Sequence, residues 1–219
     1  MIRRVAELSI RRVKAAKRAE SFKPLGPRFG IGLTMDHISM NALYALRSKY
    51  WNLTYPPHRS DRIRLLSKIP GVHRHRCEDV LRQLAPLHSN FELELKEPFR
   101  PQISKNGTFS VGYDVFSPTL EELHASLLRY FHDISDQMLS THSLPYKING
   151  VRSFAPKVNI AAHLTEGQAE SIFAELKLNY PDGIGSITAT GLNTRDFVAP
   201  GRTKQGPAPE YVEFPFSRD

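Results

Sequence analysis

Apolar and polar residues alternate in two neighbouring stretches near the middle of the chain. The stretches are FELELKEPF, at 91–99, and TFSVGYDV, at 108–115, and the segment between them contains SKNG. Alternation with a period of two places successive side chains on opposite faces of a strand. A short connection that contains glycine suits a reversal of the chain. This pattern predicts a β-hairpin.

Apolar residues three to four positions apart predict helices elsewhere. Leu43, Leu46 and Tyr50 share one face of a helix for which Asp36 or Ser39 is the N-cap. Further helices are predicted at 77–84, at 165–178 and at 117–139, the last being the longest, and further strands at 29–35, 63–69, 156–164 and 185–197.

The order of these elements indicates the fold class. Strands and helices interleave, yet a hairpin is present, and this combination is typical of α+β proteins with mostly antiparallel pairing. We therefore predict a two-lobed α+β domain at 29–198, with helices packed on the outer faces of the sheets. The remainder, 199–219, is rich in proline and glycine and is predicted to be a loose tail.

The net charge of +8 is concentrated at one end of the chain. Residues 1–24 contain eight Lys or Arg against Glu7 and Glu20, which leaves a net charge of only +2 for the remaining residues. The arm and linker at 1–28 have the Arg-rich character of a mitochondrial presequence. The alternatives are a basic helix that binds RNA or a membrane surface, and a solvated tail. A mitochondrial location is therefore expected, and a cytoplasmic one otherwise.

Four stretches together resemble a known superfamily. They are ALRSKYW followed by YPPHRSD, a strand ending in SKIPG, FELELKEPF, and FAPKVNIAAHLTEGQAESIFAEL, and they extend over 29–197. The chain resembles the two-histidine phosphoesterases, which include the 2′-5′ RNA ligase-like and cyclic phosphodiesterase-like proteins. The resemblance implies two lobes that each supply a strand with a His-x-Thr/Ser motif. The motifs would face each other across a cleft and act on a 2′,3′-cyclic phosphate or a 2′-5′ linkage.

The motif positions of this chain carry other residues. The resemblance places Arg62 and Arg64 at the first histidine and hydroxyl, and Lys157 and Asn159 at the second pair. Residues i and i+2 of a strand point to the same side, so each pair still shares one face. Arginine does not lose its proton in a protein, and lysine acts as a base only after a large pKa shift. These residues suit the binding of a phosphate better than its cleavage.

Two other triplets of the sequence match the residue types of the His-x-Thr/Ser motif. They are His37-Ile38-Ser39 and His163-Leu164-Thr165, which would supply an intact catalytic set of His37, Ser39, His163 and Thr165. Against them, Ser39 and Thr165 occur where helices begin, and Thr165 has the spacing of a capping box with Gln168.

We predict from these observations a catalytically degenerate, phosphoesterase-like protein that binds RNA or a phosphorylated ligand, and that could belong to a ribonucleoprotein. The alternatives are an active RNA 2′,3′-cyclic phosphodiesterase or 2′-5′ RNA ligase-like enzyme, and a structural interaction protein. We expect no cofactor and no metal. The single cysteine, Cys77, excludes an internal disulfide, and no apolar run reaches the length of about 20 residues that a membrane-spanning helix requires.

Overall fold

The computed structural model describes residues 27–53, 63–103, 107–134, 147–148, 151–152, 156–181, 183–196 and 211–217. The basic arm and Arg62 lie outside the described residues, so the structure leaves both predictions as they stand. Within the described part of the chain, no helix is long and apolar enough to cross a bilayer.

Nine strands are present among the described residues, and all pairings between them are antiparallel. Seven form one sheet in the order β2-β1-β8-β3-β4-β7, with β9 paired to β8, while β5 and β6 form a separate ribbon. The strands are β1 Arg28–Met35, β2 Arg64–Pro70, β3 Phe91–Ile103, β4 Phe109–Phe116, β5 Lys147–Ile148, β6 Val151–Arg152, β7 Lys157–Leu164, β8 Gly185–Asp196 and β9 Tyr211–Pro215.

Four α-helices of the described residues lie against this sheet. They are α1 His37–Ser48, α2 Arg74–Leu84, α3 Pro118–Tyr130 and α4 Glu166–Asn179. The α+β class, the antiparallel pairing and the predicted hairpin of β3 and β4 are confirmed. The two halves of the domain are joined, because β8 pairs with both β1 and β3.

Each half of the sheet carries two helices on one face. In the half formed by β3, β4 and β7, α4 packs over all three strands and α1 packs against β7. In the half formed by β2, β1 and β8, α2 lies over the sheet, since Glu78 accepts a hydrogen bond from Thr194 and Arg74 stacks over the ring of Phe29. Helix α3 joins this layer through the contact of Arg76 with Asp133, which follows it in the chain. The apolar side chains between helices and sheet form a single core.

The predicted loose tail at 199–219 is wrong for its last part. Tyr211–Pro215 pairs with β8 along 191–195, and Phe214 and Phe216 are buried. Phe216 also stacks against Phe91 of β3. Two aromatic side chains in alternate positions thus tie this segment to the core, which a count of its prolines and glycines did not reveal.

The predicted length of α3 is also wrong. The helix ends at Tyr130, followed by a short 3₁₀ turn at His132–Ile134, so α4 is the longest described helix. Phe131 leaves the helical conformation, with φ of −112° and ψ of 22°, and its side chain is fully buried. The chain turns there because Phe131 is held in the core.

His124 of α3 should make stability depend on pH. The residue is 4% exposed, and its burial lowers the pKa of the imidazole to about 4. Between the ordinary value of about 6.5 and about 4, the unfolded chain binds a proton that the folded chain excludes. Stability is therefore complete above this window and is lost as the pH falls through it, by about 3 kcal/mol. Urea unfolding at several pH values should show a shallower dependence for His124→Leu, and equal slopes would contradict this assignment.

Candidate phosphate-binding site

Lys157 and Asn159 lie on the face of β7 that is turned away from the helices. Their neighbour Val158 is buried and is paired with Tyr113, on the helix side of the sheet. On the other face, the Lys157 ammonium lies 3.2 Å from a carboxylate oxygen of Asp114. It also lies 4.3 Å from the centre of the Phe99 ring. The i, i+2 relation of Lys157 and Asn159, predicted from the sequence, thus puts both on one face.

Two β-bulges follow Asn159 along β7. Asn159 is paired with Gly112, and the register then shifts between Asn159 and Ala161 and again between Ala162 and Leu164. The residue inserted at the second shift is His163, which has a φ of 63°. Positive φ is uncommon for a residue other than glycine, and bulges accumulate near active sites.

Strand β2, in the other half of the sheet, also has two β-bulges, the second with a residue of positive φ. Arg64 is paired with Gly32, and the register shifts between Arg64 and Leu66 and again before Ile69. Within the second shift lies Lys68, which has a φ of 56°. The inserted residue with positive φ therefore follows Arg64 by four positions, as His163 follows Asn159.

The matched bulges make Arg64 and Asn159 structurally equivalent. Each is paired with a glycine of the neighbouring strand, and each precedes two register shifts of the same spacing. Two positions earlier along the chain, the sequence offers Arg62 as the counterpart of Lys157. The equivalence agrees with the alignment of the two motif strands that the sequence suggested, although Arg62 itself lies outside the described residues.

The surroundings of Arg64 combine exposure of the side chain with partial desolvation of its charge. The side chain is exposed, yet the protein around it lowers the pKa of its guanidinium through desolvation. Both observations hold for a side chain that protein surrounds but water still reaches. Arginine remains charged under these conditions.

The two pairs lie at opposite ends of the strand order. Arg64 is on β2, whereas Lys157 and Asn159 are on β7. Along a flat sheet, five strand spacings of about 4.8 Å each would separate them. A single phosphate can contact both pairs only where the sheet coils enough to bring its ends together, whereas successive phosphates of an RNA chain can contact them separately.

His37 and Ser39 lie in the first turn of α1. His37 is exposed and forms a hydrogen bond with Asn41. The N-cap of this helix is Asp36, whose carboxylate accepts a bond of 2.7 Å from the backbone N–H of Ser39. The hydroxyl of Ser39 accepts another, of 2.9 Å, from the backbone N–H of Thr188. Ser39 thus ties α1 to β8.

His163 and Thr165 lie where β7 passes into α4. His163 is exposed, and its positive φ marks the second bulge of the strand. Thr165 is the N-cap of α4 and forms the predicted capping box with Gln168, which is confirmed. Each histidine therefore lies at a strand-to-helix junction, and each hydroxyl has a structural partner.

Several solved structures are similar to this chain. TT0787 of Thermus thermophilus matches with a TM-score of 0.53 and 15% sequence identity, over 85% of this chain and 94% of that chain. LigT of E. coli, complexed with 3′-AMP, matches with a TM-score of 0.47 and 15% identity, over 85% of this chain and 95% of that one. A further crystal structure of a phosphoesterase matches with a TM-score of 0.44 and 13% identity, over 85% and 95% of the chains. Neither a protein-family model nor a curated protein matches the sequence.

The chain has the same fold as TT0787. The resemblance predicted from the sequence is thus confirmed for the fold. At 15% identity the similarity concerns the fold alone.

One residue near the site was missed by the sequence analysis. Arg47 of α1 is only 2% exposed, and its Nε donates a hydrogen bond of 3.0 Å to the backbone carbonyl of Asn159. This bond reaches β7 at the position where its first bulge begins. Arg47 follows Leu43 by four residues and so falls on the apolar face of α1. A charge within an apolar stripe was the signal available in the sequence.

Proposed function

We propose that this protein binds RNA or another phosphorylated ligand through the helix-free face of β2 and β7 without cleaving it. The observation that carries the proposal is the equivalence of Arg64 and Asn159, to which the alignment of the sequence adds Arg62 and Lys157. Three of these four side chains are cations, and the fourth is an amide. All four can donate hydrogen bonds to phosphate oxygens.

The same residues argue against turnover. General acid–base catalysis needs groups that exchange protons near neutral pH, as histidine does. Arginine does not lose its proton in proteins. Lysine acts as a base only after a large fall in its pKa, and Lys157 is engaged in an ion pair of 3.2 Å with the carboxylate of Asp114. We therefore expect binding with no measurable hydrolysis of a 2′,3′-cyclic nucleotide.

The test is the binding of a short single-stranded RNA by the full chain as a function of salt. Each cation that contacts a phosphate contributes to the slope of log K against log salt, by about 0.7 for single strands. The combined variant Arg64→Ala with Lys157→Ala should lower the affinity at least about tenfold, because charged hydrogen bonds are lost, and should make the slope shallower.

Two controls separate this site from other basic regions. Lys177→Ala removes a cation from α4, in the helix layer, and should leave the affinity unchanged. Arg11→Ala with Arg12→Ala reports what the N-terminal arm contributes by itself. RNA binding that only the arm variant weakens would refute the proposed site.

The competing function is an active cyclic phosphodiesterase that uses His37 and His163. Its support is the exposed position of His163 at a bulge with positive φ, since strained backbone is concentrated at functional sites. Turnover of 2′,3′-cyclic AMP that His163→Ala abolishes would establish it. In the equivalence of the two strands, however, His163 corresponds to Lys68 and not to a motif position.

We further propose a mitochondrial setting, in which the basic arm acts as a presequence and the partner is a ribonucleoprotein. The support is the concentration of charge in residues 1–24. Expression with a C-terminal fluorescent tag should give mitochondrial fluorescence that is lost when the arm is deleted, and a cytoplasmic signal from the full chain would oppose the proposal.

A further inference from the structure

Lys157 of β7 has a counter-ion on the neighbouring strand. Asp114 of β4 is paired in register with Lys157 of β7, and their charged atoms are 3.2 Å apart. The Lys157 side chain is 19% exposed, whereas that of Asp114 is 60% exposed. The Phe99 ring covers the ammonium at 4.3 Å. The pair is therefore held at the surface of the site, with the carboxylate on the outer side.

The first half of the domain has no such carboxylate at the corresponding position. The matched bulges make Gly112 the counterpart of Gly32, so Asp114 corresponds to Thr34 two residues later. The Thr34 hydroxyl accepts a hydrogen bond of 3.2 Å from the amide of Asn193. At this pair of described positions the two halves thus share a backbone arrangement and differ in charge.

A phosphate that contacts Lys157 must approach Asp114 as well. With one oxygen at about 2.8 Å from the ammonium, the phosphate would lie about 5 Å from the carboxylate. At that separation, repulsion between unit charges weakens binding about fourfold in bulk water, and more where water is partly excluded. The repulsion of Asp114 thus offsets about half of the attraction that Lys157 exerts on each negative charge of the ligand.

We propose that Asp114 is a specificity-determining residue, which reduces the preference of this half of the site for phosphomonoester dianions over phosphodiester monoanions. The inference rests on the proposed function, because it assumes that a phosphate contacts Lys157. A phosphodiester within an RNA chain carries one negative charge, so the repulsion from Asp114 in the ion pair with Lys157 acts on that one charge only. A terminal phosphomonoester, with a charge of about −1.5 to −2 near pH 7, gains less from its additional charge than Lys157 alone would provide.

The experiment compares two ligands that differ by one charge, 3′-AMP and its phosphate methyl ester, by calorimetric titration of the full chain at pH 8. The measured quantity is the ratio of the methyl ester Kd to the 3′-AMP Kd. The variant Asp114→Asn keeps the shape of the side chain and its oxygen acceptor but removes the charge. It should raise this ratio at least about fourfold, because Asp114 then no longer repels the additional charge of the dianion.

The control is Asp133→Asn, which changes the net charge of the protein equally. Asp133 pairs with Arg76, next to α3, and should leave the ratio unchanged. A ratio that Asp114→Asn alters by less than about twofold, or that Asp133→Asn alters as much, would overturn the specificity role while phosphate binding itself persists. If neither ligand binds, the proposed function fails and this inference fails with it. Thermal unfolding should show equal stability for both variants.

Discussion

Replacing Gly112 with alanine should destabilise the protein by about 3 kcal/mol or more, since overpacking that backbone cannot relieve exceeds the ordinary cost. A β-carbon at this position would lie 2.0 Å from the carbonyl oxygen of Val158 and 2.8 Å from the Cα of Asn159. Both atoms belong to the backbone of β7, so no rotation of a side chain can make room. For a domain of this size, the midpoint of thermal unfolding should fall by about 6–12 °C.

Gly167 provides the matched control. It lies in the first turn of α4, and an added β-carbon would meet no atom within 4 Å. Gly167→Ala should therefore be neutral or stabilising by up to about 1 kcal/mol, since alanine is the better helix former. If Gly112→Ala proved as harmless as Gly167→Ala, then β4 and β7 would not approach each other in the register described.

Local patterns in the sequence were sufficient to predict the elements of this fold. Alternation over 91–99 and 108–115 identified the hairpin of β3 and β4, and the capping box of Thr165 and Gln168 identified the start of α4. These signals involve residues within a few positions of each other. The pairing of β8 with both β1 and β3 depends on contacts across the whole chain, and alternation within a strand does not specify its neighbour.

The arrangement of the candidate site could not be predicted from the sequence either, because it also depends on contacts between distant parts of the chain. The pattern identified Lys157 and Asn159 as one pair on one face, but the carboxylate beside Lys157 comes from Asp114, on a strand joined by a long connection. The bulges at Lys68 and His163 have no signal in the sequence, because neither residue is a glycine, which commonly marks a positive φ. Without these bulges the equivalence of β2 and β7 rested on the resemblance alone.

Replacing Arg47 with methionine should destabilise the protein by about 2 kcal/mol, through the loss of its bond to the carbonyl of Asn159. Methionine fills much of the same space, so the change tests the hydrogen bonding of the guanidinium more than its packing. The substitution also removes the free-energy cost of taking the guanidinium charge out of water, which partly compensates for the lost bond. We expect the lost bond to prevail, because a hydrogen bond from a charged donor contributes more than one between neutral groups.

The consequences of Arg47→Met should extend to the ligand site. Arg47 holds the backbone of β7 where its first bulge begins, so its loss should lower RNA affinity together with the free energy of unfolding. Arg82→Met is the control, since that side chain is 57% exposed on α2. Its effect on stability should stay within about 0.5 kcal/mol. Urea unfolding and RNA titration of both variants measure the two effects. An Arg47→Met protein of native stability and native RNA affinity would show that this buried arginine supports neither the sheet nor the site.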